Sequence, residues 1–136
     1  MSRVSFLAVL VLSCATAIGT PESVTRALVD AIGRGDAAAA TELFADDATA
    51  FFPVDASPLR ADGKGAIGAV FARLLKPTTG TTLTPENLHV QRAGDAVIVT
   101  FEIRNPHVTS RRTVVLEQRG GRWLIVHLHG SNIRKD

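Results

Sequence analysis

The chain has 136 residues, enough for one domain around a single hydrophobic core. Its 15 basic residues nearly cancel its 13 acidic ones, which excludes the extended basic face of a nucleic-acid binder. With 46% hydrophobic residues and a single cysteine, the chain reads as globular and without an internal disulfide.

Residues 1–17 read as an export signal. Arg3 supplies the positive start, Phe6 to Leu12 the apolar stretch, and Ala15-Thr16-Ala17 a small-x-small cleavage site. The apolar run is too short for a membrane-spanning helix, so no transmembrane segment is expected. The chain thus divides into a signal peptide, 1–17, and one domain, 18–136, that is secreted or periplasmic. Val11-Leu12-Ser13-Cys14 also fits a bacterial lipobox, which would make Cys14 a lipidated N-terminus and anchor the domain.

Thr20-Pro21-Glu22 opens the first helix with a hydroxyl cap and a proline in the first turn. Val24, Leu28 and Ile32 recur at helical spacing until Gly33 and Gly35 end it. Asp36 caps a second, alanine-rich helix that is expected to bury Leu43 and Phe44. A short strand at 49–54 and a loop at 58–65 follow. Ile67, Val70, Phe71, Leu74 and Leu75 form a one-sided stripe on a third helix, which Pro77 terminates.

Beyond it the periodicity falls to two. Strands are expected at 83–92, 96–104, 110–119 and 123–130, with Gly94-Asp95 and Gly120-Gly121 as hairpin turns. The fold class is therefore α+β: three N-terminal helices packed on a curved antiparallel sheet. Alternation places Val97, Val99, Phe101 and Ile103 on one uniformly apolar face, which should point inward. Arg112, Val114 and Leu116 share a face in the next strand. In the last strand Leu124, Val126 and Leu128 oppose Trp123, Ile125, His127 and His129.

Leu43 to Val54 (LFADDATAFFPV), the longer stretch GRGDAAAATELFADDATAFFPV and the later GKGAIGAVFARLLK resemble ketosteroid isomerase and its SnoaL-like relatives. GGRWLIVHLHGS near the end is similar to the association domain of calcium/calmodulin-dependent kinase II. Both belong to the nuclear transport factor 2-like superfamily, so the resemblance implies a cone with a pocket at its open end. It also puts the leucine–valine row of the last strand inside and the histidine row outside. The isomerase's general base falls on Phe52, its oxyanion-hole tyrosine on Leu28, and its neutral aspartic acid on or beside Val114. The chain contains no tyrosine at all. Loss of a general base alone forfeits on the order of a hundred- to ten-thousand-fold in rate. The arginine-rich pocket of the kinase domain falls near Ile103, Val114 and Gly130, so that site is missing too.

The expected function is a non-catalytic domain that binds a small apolar molecule or, if Phe51 or Phe52 and Phe71 fill the cone, serves only as a dimerisation module. Its pocket would be walled by Leu28, Phe52 and Phe71 and by the inward residues of the three long strands, down to Val126 and Leu128. Arg112 would reach a ligand's anionic group from the rim. An outer face carrying Ile98, Val115, Trp123 and Ile125 is too apolar to stay wet, and relatives pair sheets there. A homodimer is therefore expected, with His127 and His129 at or near the interface.

The alternative is an isomerase- or cyclase-type enzyme acting on a small polyketide- or steroid-like substrate. It requires a register shift that turns His127 and His129 inward as acid and base. A metal on His127-x-His129 would need His89 or His107 as a third ligand and has no evident carboxylate partner, so no metal or other cofactor is expected. Asp46-Asp47 reads as a capping and turn pair, and Asp55 would overhang the pocket mouth.

Overall fold

The computed structural model describes residues 19–53, 60–77 and 81–135. The signal-peptide and lipobox readings and Asp55 lie outside the described residues. Helix α1 (Pro21–Arg34) begins on a reciprocal cap. The Thr20 hydroxyl accepts from the Ser23 amide at 3.1 Å, and the Ser23 hydroxyl accepts from the Thr20 amide at 2.8 Å. Gly35 ends α1 with φ 69°, and a Cβ there would stand 1.9 Å from the Lys76 carbonyl oxygen. Only glycine fits so close a backbone crossing. Asp36 caps α2 (Ala37–Glu42) by accepting from the Ala39 amide at 2.9 Å.

Strand β1 (Phe44–Phe51) starts five residues earlier than its sequence predicts, so Phe44 is a buried strand residue rather than the end of a helix. A short β2 (Arg60–Asp62) pairs with it inside the expected loop. Helix α3 (Lys64–Leu74) buries Ile67, Val70 and Phe71, while Leu74 of the expected stripe is exposed. Strands β3 (Glu86–Ala93), β4 (Ala96–Arg104), β5 (Val108–Arg119) and β6 (Arg122–Arg134) complete the sheet. The α+β layout stands: a curved, unclosed sheet ordered β2-β1-β6-β5-β4-β3. All its pairings are antiparallel except β1 with β6, which runs parallel and folds the first strand back against the last.

Helix α1 lies against β4 and β6, and α3 against β1 and β2. Register then sorts the residues into rows. On the helix-facing side Val99, Val114 and Leu128 stand abreast, as do Phe101, Arg112 and Gly130, and Ile103, Ser110 and Asn132. Val97 and Leu116 are joined by Ile125, because the β5–β6 register shifts between Val115 and Leu116 and leaves Val126 as a bulged residue. This corrects the last strand's predicted faces. Ile125 is fully buried instead of lining the outer surface, while Leu124 and Val126 are only half-buried. The core joins Leu28, Phe44, Ile67 and Phe71 to these strand rows. Each such side chain contributes about 1.5–3 kcal/mol by leaving water.

Candidate functional site

The three positions that would carry isomerase chemistry are all in the core. Leu28 is 1%, Val114 0% and Phe52 8% exposed. Phe52 meets the Phe71 ring edge-on at 5.4 Å between centroids, and Phe71 in turn lies 5.7 Å from Phe44. The only buried polar or charged side chains among the described residues are Thr25 and Ser110. The Thr25 hydroxyl donates to the Pro21 carbonyl at 2.8 Å, so it is spent on its own helix.

Polarity begins at the open end of the sheet, two residues beyond Val114. There Arg112 projects inward between Phe101 and Gly130. A Cβ on Gly130 would stand 2.9 Å from Arg112 Nη1 and 2.8 Å from Pro53 Cδ, so the missing side chain is what lets the guanidinium lie across β6. Burial pushes Arg112 down to about 10, a range in which it is still a cation at neutral pH. In the next row the Ser110 hydroxyl donates to Asn132 Oδ1 at 2.6 Å, and Asn132 Nδ2 donates to the Pro53 carbonyl at 2.8 Å. Beside them opens a groove of about 410 Å³, lined by Pro53, His107, Val108, Asn132, Arg134 and Lys135. Among the described residues its charged lining is entirely basic.

The histidines lie on the opposite face. His127 pairs with Val115 and His129 with Thr113, and both project away from the helices while Leu128 between them is buried. The bulge that could have turned them inward falls one residue earlier, at Val126, and flips Ile125 instead. Their rings flank exposed Phe51, at 6.1 Å and 5.8 Å between centroids, and the Arg60 guanidinium sits 5.6 Å above the same ring. His127 Nδ1 shares a 2.7 Å hydrogen bond with the Thr49 hydroxyl. Burial, then the neighbouring His129 and Arg60, hold His127 below the usual histidine range.

Among the described residues no three histidine, cysteine or acidic side chains cluster as a metal site. His89 faces Thr100 on β3, three strand spacings or about 14 Å from His129. His107 is at the open end, in the groove described above. Asp47 is ion-paired with Arg119 at 2.6 Å, which holds its carboxyl below the ordinary range, and Asp46 is exposed.

Sequence reasoning had named Arg112 but missed its companions. Ser110 was legible as the next inward residue by alternation, and Asn132 as two residues past Gly130. Nothing in the sequence marked Thr49 or Arg60, which depend on the parallel β1–β6 pairing and on β2.

The family model of the SnoaL-like domain matches residues 22–135. Among solved structures, the chain is similar to a nuclear transport factor 2-like protein of unknown function from Pseudomonas putida KT2440. That match has 26% identity and a TM-score of 0.69, over 81% of this chain and 82% of that one. A candidate ketosteroid isomerase from Parabacteroides distasonis ATCC 8503 is 18% identical with a TM-score of 0.68, over 85% and 89% of the two chains. A candidate calcium/calmodulin-dependent protein kinase type II association domain from Thiobacillus denitrificans ATCC 25259 is 22% identical. Its TM-score is 0.67, over 84% and 95%. These last two likenesses carry the fold alone. No curated protein matches the chain.

Proposed function

We propose that this chain, which belongs to the SnoaL-like domain family, is an exported homodimer that binds a small apolar molecule and performs no chemistry on it. One observation carries the reading: the positions of base, tyrosine and acid are Phe52, Leu28 and Val114, buried and packed together. No buried carboxylate stands elsewhere among the described residues to take over proton transfer. Export rests on residues 1–17 of the sequence, and dimerisation on the outer row of Ile98, Val115 and His127 with Phe51 close by. The alternative enzyme, working through His127 and His129, loses its footing because both rings lie on the far side of the sheet from the helices.

Native mass spectrometry of the mature protein, recovered from its own export route, tests this. A dimer carrying a reproducible mass that denaturation releases supports the binder. A wild-type protein that isomerises a 3-ketosteroid overturns the non-catalytic reading.

A further inference from the structure

We propose that the ligand is an anionic amphiphile, whose carboxylate is held by the Arg112 guanidinium at the open end of the cone and whose apolar body runs toward Phe52 and Phe101. This deepens the binding function proposed above and rests on it.

Four exposed arginines of this domain are tied to carboxylates, while Arg26, Arg92, Arg111, Arg122 and Arg134 are exposed and form no ion pair with a described residue. The four are Arg34, Arg60, Arg104 and Arg119, and their respective partners are Asp30 and Asp36, Asp62, Glu86 and Glu102, and Asp47 and Glu117. Arg112 differs from all of these in being half-buried, and it too has no carboxylate partner among the described residues. Of its five N–H donors, one reaches an acceptor among the described residues, Nη1 to its neighbour's backbone, the Arg111 carbonyl, at 3.1 Å. A partly buried cation left in that state costs stability, and an arriving anion recovers part of it.

Its surroundings complete the argument. The rows beneath it, toward Val114 and Leu128 and then Leu116 and Ile125, are wholly apolar. In the row above it the two polar side chains are already engaged, Ser110 with Asn132 and Asn132 with the Pro53 carbonyl, so they do not compete for the guanidinium. The groove at that end adds His107, Arg134 and Lys135, and no acidic side chain lines it among the described residues. A small anion is thus drawn to this end and meets one partly desolvated fork of donors. The planar guanidinium matches a carboxylate in shape, and its single charge is neutralised by a monoanion.

Decanoate and 2-naphthoate, each beside its neutral primary amide, would be titrated into wild-type protein and into Arg112→Gln by calorimetry at neutral pH. In the wild type, each acid is expected to bind at least about tenfold tighter than its amide, the increment of a charge-assisted hydrogen bond. In Arg112→Gln the two should converge to within about twofold. Equal binding of acid and amide by the wild type overturns the anionic class while leaving a binder of apolar molecules standing. Binding of none of the four probes by the wild type removes the binding function itself and this inference with it. Thermal melting of ligand-free Arg112→Met adds a reading that needs no ligand. A guanidinium kept for a ligand predicts an unchanged or higher Tm, whereas a large fall marks Arg112 as a structural residue and overturns the proposal.

Discussion

The Thr49 hydroxyl and Nδ1 of His127 share a 2.7 Å hydrogen bond across the parallel β1–β6 pair, which fixes that imidazole on the outer face of the sheet. The same position makes it hard to protonate, because burial opposes the charge and His129 and Arg60 add to the opposition. An unfolded chain binds this proton near pH 6.5, while the folded one still resists it. The unfolded state therefore holds more protons just below that pH, and stability must fall as the pH drops through this window. Urea denaturation at about pH 7.5 and about pH 5.5 should show a lower midpoint in acid. His127→Gln should remove part of the difference; an identical difference in that variant would assign it to other groups.

A second expectation concerns the outer row in which Val115 stands between Ile98 and His127. Placed at the centre of a sheet-to-sheet interface, a glutamate at Val115 would be buried without a partner. Val115→Glu should therefore weaken the dimer by about 30-fold or more, as a central interface residue does. Its circular dichroism should match wild type. Sedimentation equilibrium decides: an unperturbed dimer would move the interface to another surface.

How far the sequence could be read follows from how local each signal is. The span of β4 (Ala96–Arg104) was legible to the residue, because a clean alternation between Gly94-Asp95 and Asn105-Pro106 leaves no other register. Both helix caps were legible from Thr20, Pro21 and Asp36, since capping involves only adjacent residues. The bulge at Val126 was not: Trp123 to Leu128 alternates acceptably either way. Only the long-range register against Leu116 chooses Ile125 for the interior. The parallel β1–β6 pair and β2 are likewise products of tertiary pairing, and they are what bring Thr49, Phe51 and Arg60 beside the histidines. At the open end Arg112 was visible as an inward residue. That no acidic side chain among the described residues pairs with it is a fact of three dimensions.

Placing a carboxylate at Phe52, where the resemblance puts the general base, should not create isomerase activity. Phe52→Asp would replace a ring packed edge-on against Phe71 by a carboxylate in the core. The loss of the ring alone costs about 3–5 kcal/mol. Burial would also raise the new carboxyl's pKa and protonate it, so it would make a poor base. With Leu28 and Val114 unchanged there is still no oxyanion hole. The variant should melt well below wild type and leave a 3-ketosteroid unconverted when the conjugated enone is followed by absorbance. Turnover by this single variant would mean that the remaining machinery is present elsewhere in the cone.

Two glycines offer a paired test of packing, Gly130 at the open end and Gly65 on α3. At Gly130 a Cβ meets Pro53 Cδ at 2.8 Å and Arg112 Nη1 at 2.9 Å, whereas at Gly65 on α3 nothing lies within 4 Å. Gly65→Ala should therefore stabilise by roughly 0.5–1 kcal/mol, the ordinary helical gain over glycine. Gly130→Ala should destabilise by about 1–3 kcal/mol, because overpacking forces its neighbours apart. The two neighbours differ in what they can yield: the guanidinium is the end of a flexible side chain, and the proline ring is tied to the backbone after β1. Combining Gly130→Ala with Arg112→Ala should thus recover only part of the loss, with the remainder due to Pro53. Full recovery in the double variant, read from urea midpoints, would assign the whole closeness of that crossing to Arg112.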